Sequence, residues 1–191
     1  MYILSGKEAA PEMKKDILIL FVIVLVLAIA IMGLDIQSVD EYYQTHLEDI
    51  HDGDPVVTLS IRCDAILSNY DKLDPSLRSE QYVPADGVIL PKTTYVLRPG
   101  DTVFDVLLRA VRHNRIPMEY QGADGNVFGT VYIEGINHLY EFSCGPTSGW
   151  VFTVNGEFPN YGCSKYELLD GDEIVWYYTC NLGQDVGFTG A

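Results

Sequence analysis

Positive charge is scarce in this chain. Twelve Lys and Arg face 27 Asp and Glu, giving a formal net charge of −15 over 191 residues. The imbalance falls entirely after residue 34: positions 1–34 hold three acids and three bases, which leaves 24 acids against nine bases beyond. A surface so acidic repels phosphate backbones, and no Lys/Arg cluster offsets it, so nucleic acid is excluded as a partner. A glycine-rich phosphate loop and a metalloprotease helix motif are also missing. The four histidines, His46, His51, His113 and His138, are scattered. None therefore supplies the base that an activated nucleophile needs beside it. The four cysteines lie 81, 19 and 17 residues apart, whereas a zinc site wants close C-x-x-C pairs. The chain reads as non-enzymatic, with no required cofactor or metal.

One long apolar run is present. Ile17 to Leu34, ILILFVIVLVLAIAIMGL, is uninterrupted, and at about 1.5 Å per residue it approaches the thickness of a bilayer core. Lys14 and Lys15 precede it while Asp35 and Asp40 follow, an asymmetry that keeps the N-terminus in the cytoplasm and sends the rest outside. The expected organisation is a cytoplasmic tail at 1–16, a single transmembrane signal-anchor at 17–34, an acidic stalk at 35–54, a folded domain at 55–187 and a short tail at 188–191. A cleaved signal peptide is the alternative, because Ala28-Ile29-Ala30 has the small-x-small pattern of a cleavage site; the domain would then be secreted. Met13 is a second natural start. In the stalk, Ile36, Val39, Tyr43, Leu47 and Ile50 recur at helical spacing. That stripe suits either a homodimer through the stalk or a helix lying on the domain.

Beyond the membrane the compartment is oxidising, so Cys63, Cys144, Cys163 and Cys180 are expected to pair. Val56 to Cys63 alternates as a half-buried strand, and Thr93 to Leu97 reads as a second. Short helical turns are expected near Ala65 to Tyr70 and at Pro75 behind Asp74. Thr102, with Asp105 three residues on, caps a helix whose apolar face is Val103, Phe104, Leu107, Leu108 and Val111, ending near Asn114. Strand signals follow at Val127–Ile133, Leu139–Ser143, Trp150–Val154 and Glu173–Cys180, and Asn155-Gly156 is a type I′ turn signal. This order predicts an α+β domain, a β-grasp-like mixed sheet with one packed helix, whose first and last strands run parallel at the centre. Cys63 and Cys180 end those two strands in phase, which predicts a Cys63–Cys180 bridge and leaves Cys144 with Cys163.

Several segments then carry a family likeness. VTLSIRCDAIL, VPADGVIL, GDTVFDVLLRAV, YIEGINHLYEF and CGPTSGWVFTVNGEFPNYGCSKYELLDGDEIVWYYTCNLGQDVG resemble the bacterial surface domains of the transcobalamin-like C-terminal family, long carried as a domain of unknown function. The resemblance runs from about Val56 to Gly187. Its most specific part is GW-x-F-x-VNG-x-x-P-x-YG followed by L-x-DGD-x-I-x-W-x-Y. It implies a fold related to the small β-rich domain that covers one face of the corrinoid in animal cobalamin carriers. Cobalamin is accordingly the ligand the resemblance suggests. The large helical domain that completes that site has no counterpart in these residues, so the resemblance implies at most half of a corrinoid site.

The candidate ligand-binding residues are Trp150, Phe152, Asn155, Phe158, Asn160 and Tyr161, where aromatic faces and amide groups cluster around two turns. Trp150 itself reads first as core, packed under the helix, which leaves the hairpin tip as the grip. His138 as a cobalt ligand and Asp170-Gly171-Asp172-Glu173 as a calcium site are weaker readings, since Asp-Gly at a strand entry is mostly turn chemistry. The expected function is capture of a small molecule, a corrinoid among the candidates, and its passage to a partner such as a membrane transporter. The competing function is a surface module that binds protein or glycan through the same aromatic edge.

Overall fold

In a computed structural model of the chain, residues 17, 19–24, 50–127 and 129–189 are described. The chain divides into two compact units, Met1–Ser38 and Val39–Ala191. In the first, residues 19–24 are helical. Among the described residues no helix is long and apolar enough to cross a membrane. The expected span at 17–34 and stalk at 35–54 lie largely outside the described residues.

The second unit is mixed α+β, with two sheets and one main helix. The larger sheet orders its strands β2-β1-β7-β6: β1 is Val56–Arg62, β2 Val88–Val96, β6 Gly149–Val154 and β7 Glu173–Thr179. β1 and β7 are its parallel central pair, flanked by antiparallel β2 and β6. The expected central pairing of the first and last strands is therefore present. Both strands are apolar in phase, with Leu59, Ile61 and Ile174 fully buried, because a parallel pair at the centre of a sheet is covered by its neighbours.

β2 begins five residues before the expected strand and runs through Pro91. It can do so because β2 is an edge strand, where a missing N–H costs no ladder bond, and the β1–β2 register shifts twice beside that proline. The 64–87 excursion folds into two 3₁₀ turns, Asp64–Ser68 and Pro75–Leu77, the second capped by Asp74, which accepts from the Ser76 N–H at 2.9 Å.

The main helix, α1 (Val103–His113), starts as its sequence predicts, since the Thr102 side chain accepts from the Asp105 N–H and the Asp105 carboxylate accepts from the Thr102 N–H. Val103, Val106, Leu107, Ala110 and Val111 pack into the core with Leu59, Ile174 and Trp176. A buried ion pair lies behind the cap: Arg109 grips both Asp101 oxygens at 2.8 and 2.7 Å and donates to the Val96 carbonyl at 2.9 Å.

After α1 the chain builds a separate three-stranded sheet, β3 (Met118–Gln121), β4 (Tyr132–Ile136) and β5 (Leu139–Tyr140), in that order. The second sheet is a departure from the single mixed sheet expected. The apolar signal at Val127–Ile133 pairs only from Tyr132, and the one at Leu139–Ser143 stops at Tyr140, where Phe142 turns to positive φ.

The cysteines depart from expectation too. All four are unbridged and buried. In the parallel ladder Arg62 lies beside Tyr177, so Cys63 comes level with Tyr178, two residues short of Cys180. Cys163 belongs to the core cluster of α1 and β1, whereas Cys63, Cys144 and Cys180 share the other cluster with Leu73, Leu139 and Tyr178. The expected Cys144–Cys163 partners are thus in different clusters.

Candidate functional site

β6 forms one edge of the larger sheet, and its sequence sets aromatics at alternate positions, Trp150 and Phe152. The Asn155 N–H donates to the Glu173 carbonyl at 2.8 Å, so pairs 155/173, 153/175 and 151/177 carry the ladder bonds. The alternate pairs, Phe152/Trp176 and Trp150/Tyr178, are the closer non-hydrogen-bonded ones, and the main-chain groups of Trp150 and Phe152 point away from β7 toward the open edge. Their rings meet accordingly, with centroids 5.1 Å apart for Phe152 and Trp176 and 5.3 Å for Trp150 and Tyr178. Trp150 is not simply core. It is half-buried, touches both clusters, and is held by its indole N–H donating to the Leu139 carbonyl at 2.7 Å.

Three shallow hollows meet at Trp150. The first, of ≈280 Å³, opens between β6 and the start of β4, walled by Tyr132, Ile133, Trp150, Phe152 and Trp176. The second, of ≈260 Å³, lies between Trp150, Phe152, Phe158, Leu182 and Phe188. The third, of ≈250 Å³, is bounded by Glu141, Phe142, Thr147, Trp150 and Leu182. Trp176, one wall of the first hollow, carries a buried polar group. Trp176 is 2% exposed, and among the described residues its indole N–H has no hydrogen-bond partner, a costly state for a buried donor. No charged side chain belongs to the first two walls.

Gly162 closes the first hollow. A Cβ there would lie 2.1 Å from Thr130 Oγ1, so only glycine lets the 158–163 loop pass. Ser164 fixes that approach: its hydroxyl shares a 2.9 Å bond with Thr130 and accepts from the Val131 N–H at 3.0 Å. On the third wall Tyr132 donates to Glu141 at 2.6 Å; burial, then this carboxylate, push its phenol up to about 12. Tyr178, its phenol also pushed to about 12 chiefly by burial, donates to the Tyr140 carbonyl at 2.7 Å.

Of the six residues the sequence singles out, Trp150, Phe152 and Phe158 come together. Phe158 stands edge-on to Phe188, centroids 5.3 Å apart. Asn155 serves the turn. With φ of 53° and 81°, Asn155 and Gly156 form the expected turn, and the Asn155 amide donates to Asp172 at 2.8 Å and accepts from the Glu173 N–H at 2.9 Å. Asn160 is exposed and Tyr161 is 67% exposed; neither belongs to the three walls. Leu182 and Phe188 were not anticipated, because they follow the last strand signal and only the chain's return over β6 brings them in. Trp176 was visible as an aromatic of the last strand, but not its free N–H.

The other readings find geometry of a different kind. Asp170 accepts from the Val56 N–H at 2.7 Å and Asp172 from the Leu169 N–H at 2.8 Å, so both carboxylates tie the turn before β7. Among the described residues no cluster of three His, Cys, Asp or Glu could hold a metal ion. His138 sits at positive φ, edge-on to Tyr82 at 5.3 Å. Burial pushes the Cys63 and Cys163 thiols up to about 12, the opposite of an activated nucleophile. A hollow that sequence reasoning missed, of ≈510 Å³, lies at the C-terminal end of α1 between Leu108, Arg112, Arg115, Met118 and Tyr120.

Together these features define a small α+β domain with an open aromatic edge. Comparison with known proteins places it as follows. A model described as a domain of unknown function, DUF4430, matches residues 100–180, from the entry of α1 to the end of β7. No curated protein matches the chain. Among solved structures, one of a Ruminococcus gnavus protein provisionally described as metal binding is 12% identical with a TM-score of 0.38, covering 66% of this chain and 97% of its own. Haptocorrin in complex with Cbi is 16% identical with a TM-score of 0.40, covering 68% of this chain and 26% of its own. This chain therefore spans about a quarter of haptocorrin's length.

Proposed function

We propose that the chain is a membrane-anchored, extracytoplasmic module of β-grasp-like fold that captures a small, neutral, largely apolar ligand at the aromatic edge around Trp150 and presents it to a membrane partner. The observation that carries this reading is the hollow walled by Trp150, Phe152 and Trp176, whose buried indole N–H has no hydrogen-bond partner among the described residues. A ligand acceptor reaching that N–H would satisfy it, and the rings would take the ligand's apolar faces. The uncharged walls and the strong negative charge of the domain both favour a ligand that is not an anion. Capture of this kind needs orientation and stacking and no bond chemistry.

A corrinoid, larger and richer in amides, is the particular ligand suggested by the sequence resemblance to transcobalamin-like C-terminal domains. Each hollow is small, so such a ligand would rest an edge or a side-chain amide on this surface, with a second protein covering its other face. The test is a titration of the full chain with cobalamin, following corrin absorption and tryptophan fluorescence, in the native protein and in Trp150→Ala and Phe158→Ala. Saturable binding weakened at least tenfold by either substitution supports the reading. Unaltered binding in both variants, or none at high micromolar ligand, overturns it for corrinoids.

One observation favours a second reading, a protein- or glycan-binding surface. Phe142, Tyr161 and Leu182 are 62%, 67% and 65% exposed near an edge strand whose main-chain groups are available for pairing. Partner binding that survives loss of the hollow but not a proline placed at Val151 would favour it.

A further inference from the structure

Cys144 and Cys180 meet from two segments that the fold holds together independently of them. Thr147 donates through its hydroxyl to the Cys180 carbonyl at 2.8 Å, and the Leu182 N–H donates to the Thr147 carbonyl at 3.0 Å. Gly149 is paired with Thr179 in the β6–β7 ladder, so the residues before Gly149 and after Thr179 emerge side by side. The turn that carries Cys144 is pinned as well: the Cys144 N–H donates to Ser148 Oγ at 3.0 Å, Ser148 Oγ donates to the Gly145 carbonyl at 2.8 Å, and Tyr178 reaches the same Oγ at 3.0 Å. Both thiols are buried, at 0% and 7% exposure, in one side-chain cluster, where the Cys144 thiol donates to the Asn69 carbonyl at 3.5 Å. Cys63 shares their cluster but stands level with Tyr178, and Cys163 lies in the other cluster.

We propose that Cys144 and Cys180 are the chain's redox-active dithiol, closing to a disulfide that staples the 144–148 turn to the end of β7, while Cys63 and Cys163 stay reduced. The step is thiol–disulfide exchange. One thiol loses its proton and attacks a small external disulfide, releasing a thiol; the second then displaces the first-bound group as a further thiol. The external disulfide is reduced by two electrons and the protein loses two hydrogens. The turn supplies Pro146 and Thr147 to the third hollow, so the staple also fixes one wall of the surface around Trp150. Burial raises both thiols, which makes exchange slow in the folded protein and favours closure while the chain folds.

The full chain is reduced in denaturant, refolded with and without oxidised glutathione, denatured, alkylated and mapped by mass spectrometry. The expected result is one linked pair joining the Cys144 and Cys180 peptides, with alkylated Cys63 and Cys163. A Cys63–Cys180 or Cys144–Cys163 link, or four alkylated thiols after oxidative refolding, overturns the proposal. As a check against misfolding, Cys63→Ala/Cys163→Ala should keep a thermal midpoint that falls on adding reductant. Cys144→Ala and Cys180→Ala should each have a midpoint that reductant no longer moves. Retention of that dependence in either single variant would also overturn it. None of these outcomes depends on a ligand.

Discussion

Asp101→Asn is the substitution whose cost the structure specifies best. The Asp101 and Arg109 side chains are each 9% exposed, and the guanidinium donates to both carboxylate oxygens in a fork. Asp101 also accepts from the Arg98 N–H at 2.8 Å, and its own carbonyl accepts from the Leu168 N–H, so it sits where β2, α1 and the segment before β7 join. Burial pushes the Asp101 carboxyl up, but Arg109 and the Arg98 N–H outweigh it, and the net displacement is downward. An asparagine keeps the volume and removes the carboxylate charge that the buried Arg109 guanidinium grips. Breaking a buried pair from one side costs about 3–5 kcal/mol. For a domain of this size that corresponds to a thermal midpoint lower by roughly 10 °C.

Urea unfolding of the full chain, read by tryptophan fluorescence, gives the free energy at a series of pH values. Because the folded carboxyl lies below its unfolded value, its contribution is present above the ordinary carboxylate range, near pH 4, and is lost as pH falls through the folded pKa. The gap between native protein and variant should therefore be full at neutral pH and narrow below about pH 4. A loss under about 1 kcal/mol at pH 7, typical of a solvent-screened surface pair, would refute the reasoning.

Other perturbations separate structure from site. Gly162→Ala places a methyl against Thr130 and should destabilise by about 1–3 kcal/mol in denaturant titrations, with Ser164 displaced from Thr130. Tyr178→Phe removes the hydroxyl that bonds the Tyr140 carbonyl and Ser148; a loss of roughly 1–2 kcal/mol is expected in the same titration, and an unchanged midpoint would contradict it. Tyr161→Ala should leave both stability and ligand affinity unchanged within about twofold, because a ring that exposed contributes little burial, whereas Phe158→Ala should weaken binding at least tenfold.

Local chemistry made much of this fold legible. The Thr102 and Asp105 spacing fixed the start of α1, alternation marked β1 and β6, and Asn155-Gly156 marked its turn, since each depends on residues a few positions apart. Lateral offsets were not legible. Phase placed Cys63 and Cys180 on the same face, yet the ladder sets them two residues apart in height, and periodicity alone carries no information on that slide. For the same reason the strand signals at 127–133 and 139–143 could not be assigned to a second sheet, and β3 at Met118–Gln121 was not among the expected strands. At the site, aromatic alternation led to Trp150 and Phe152, while the Trp150 tether to Leu139, the Thr130 contact that demands Gly162 and the free N–H of Trp176 arise between segments distant in sequence.

The central claim rests on that free N–H, and the protein's two tryptophans make it directly observable. In nitrogen-15 spectra of the full chain the two indole N–H signals can be assigned with Trp150→Phe and followed during addition of cobalamin. If ligand is captured as proposed, the Trp176 signal moves saturably as its proton gains an acceptor, and it slows in exchange with solvent. If cobalamin binds while the Trp176 signal stays fixed, or if neither indole responds, the hollow between β6 and β4 is not the capture site and the account fails at its centre.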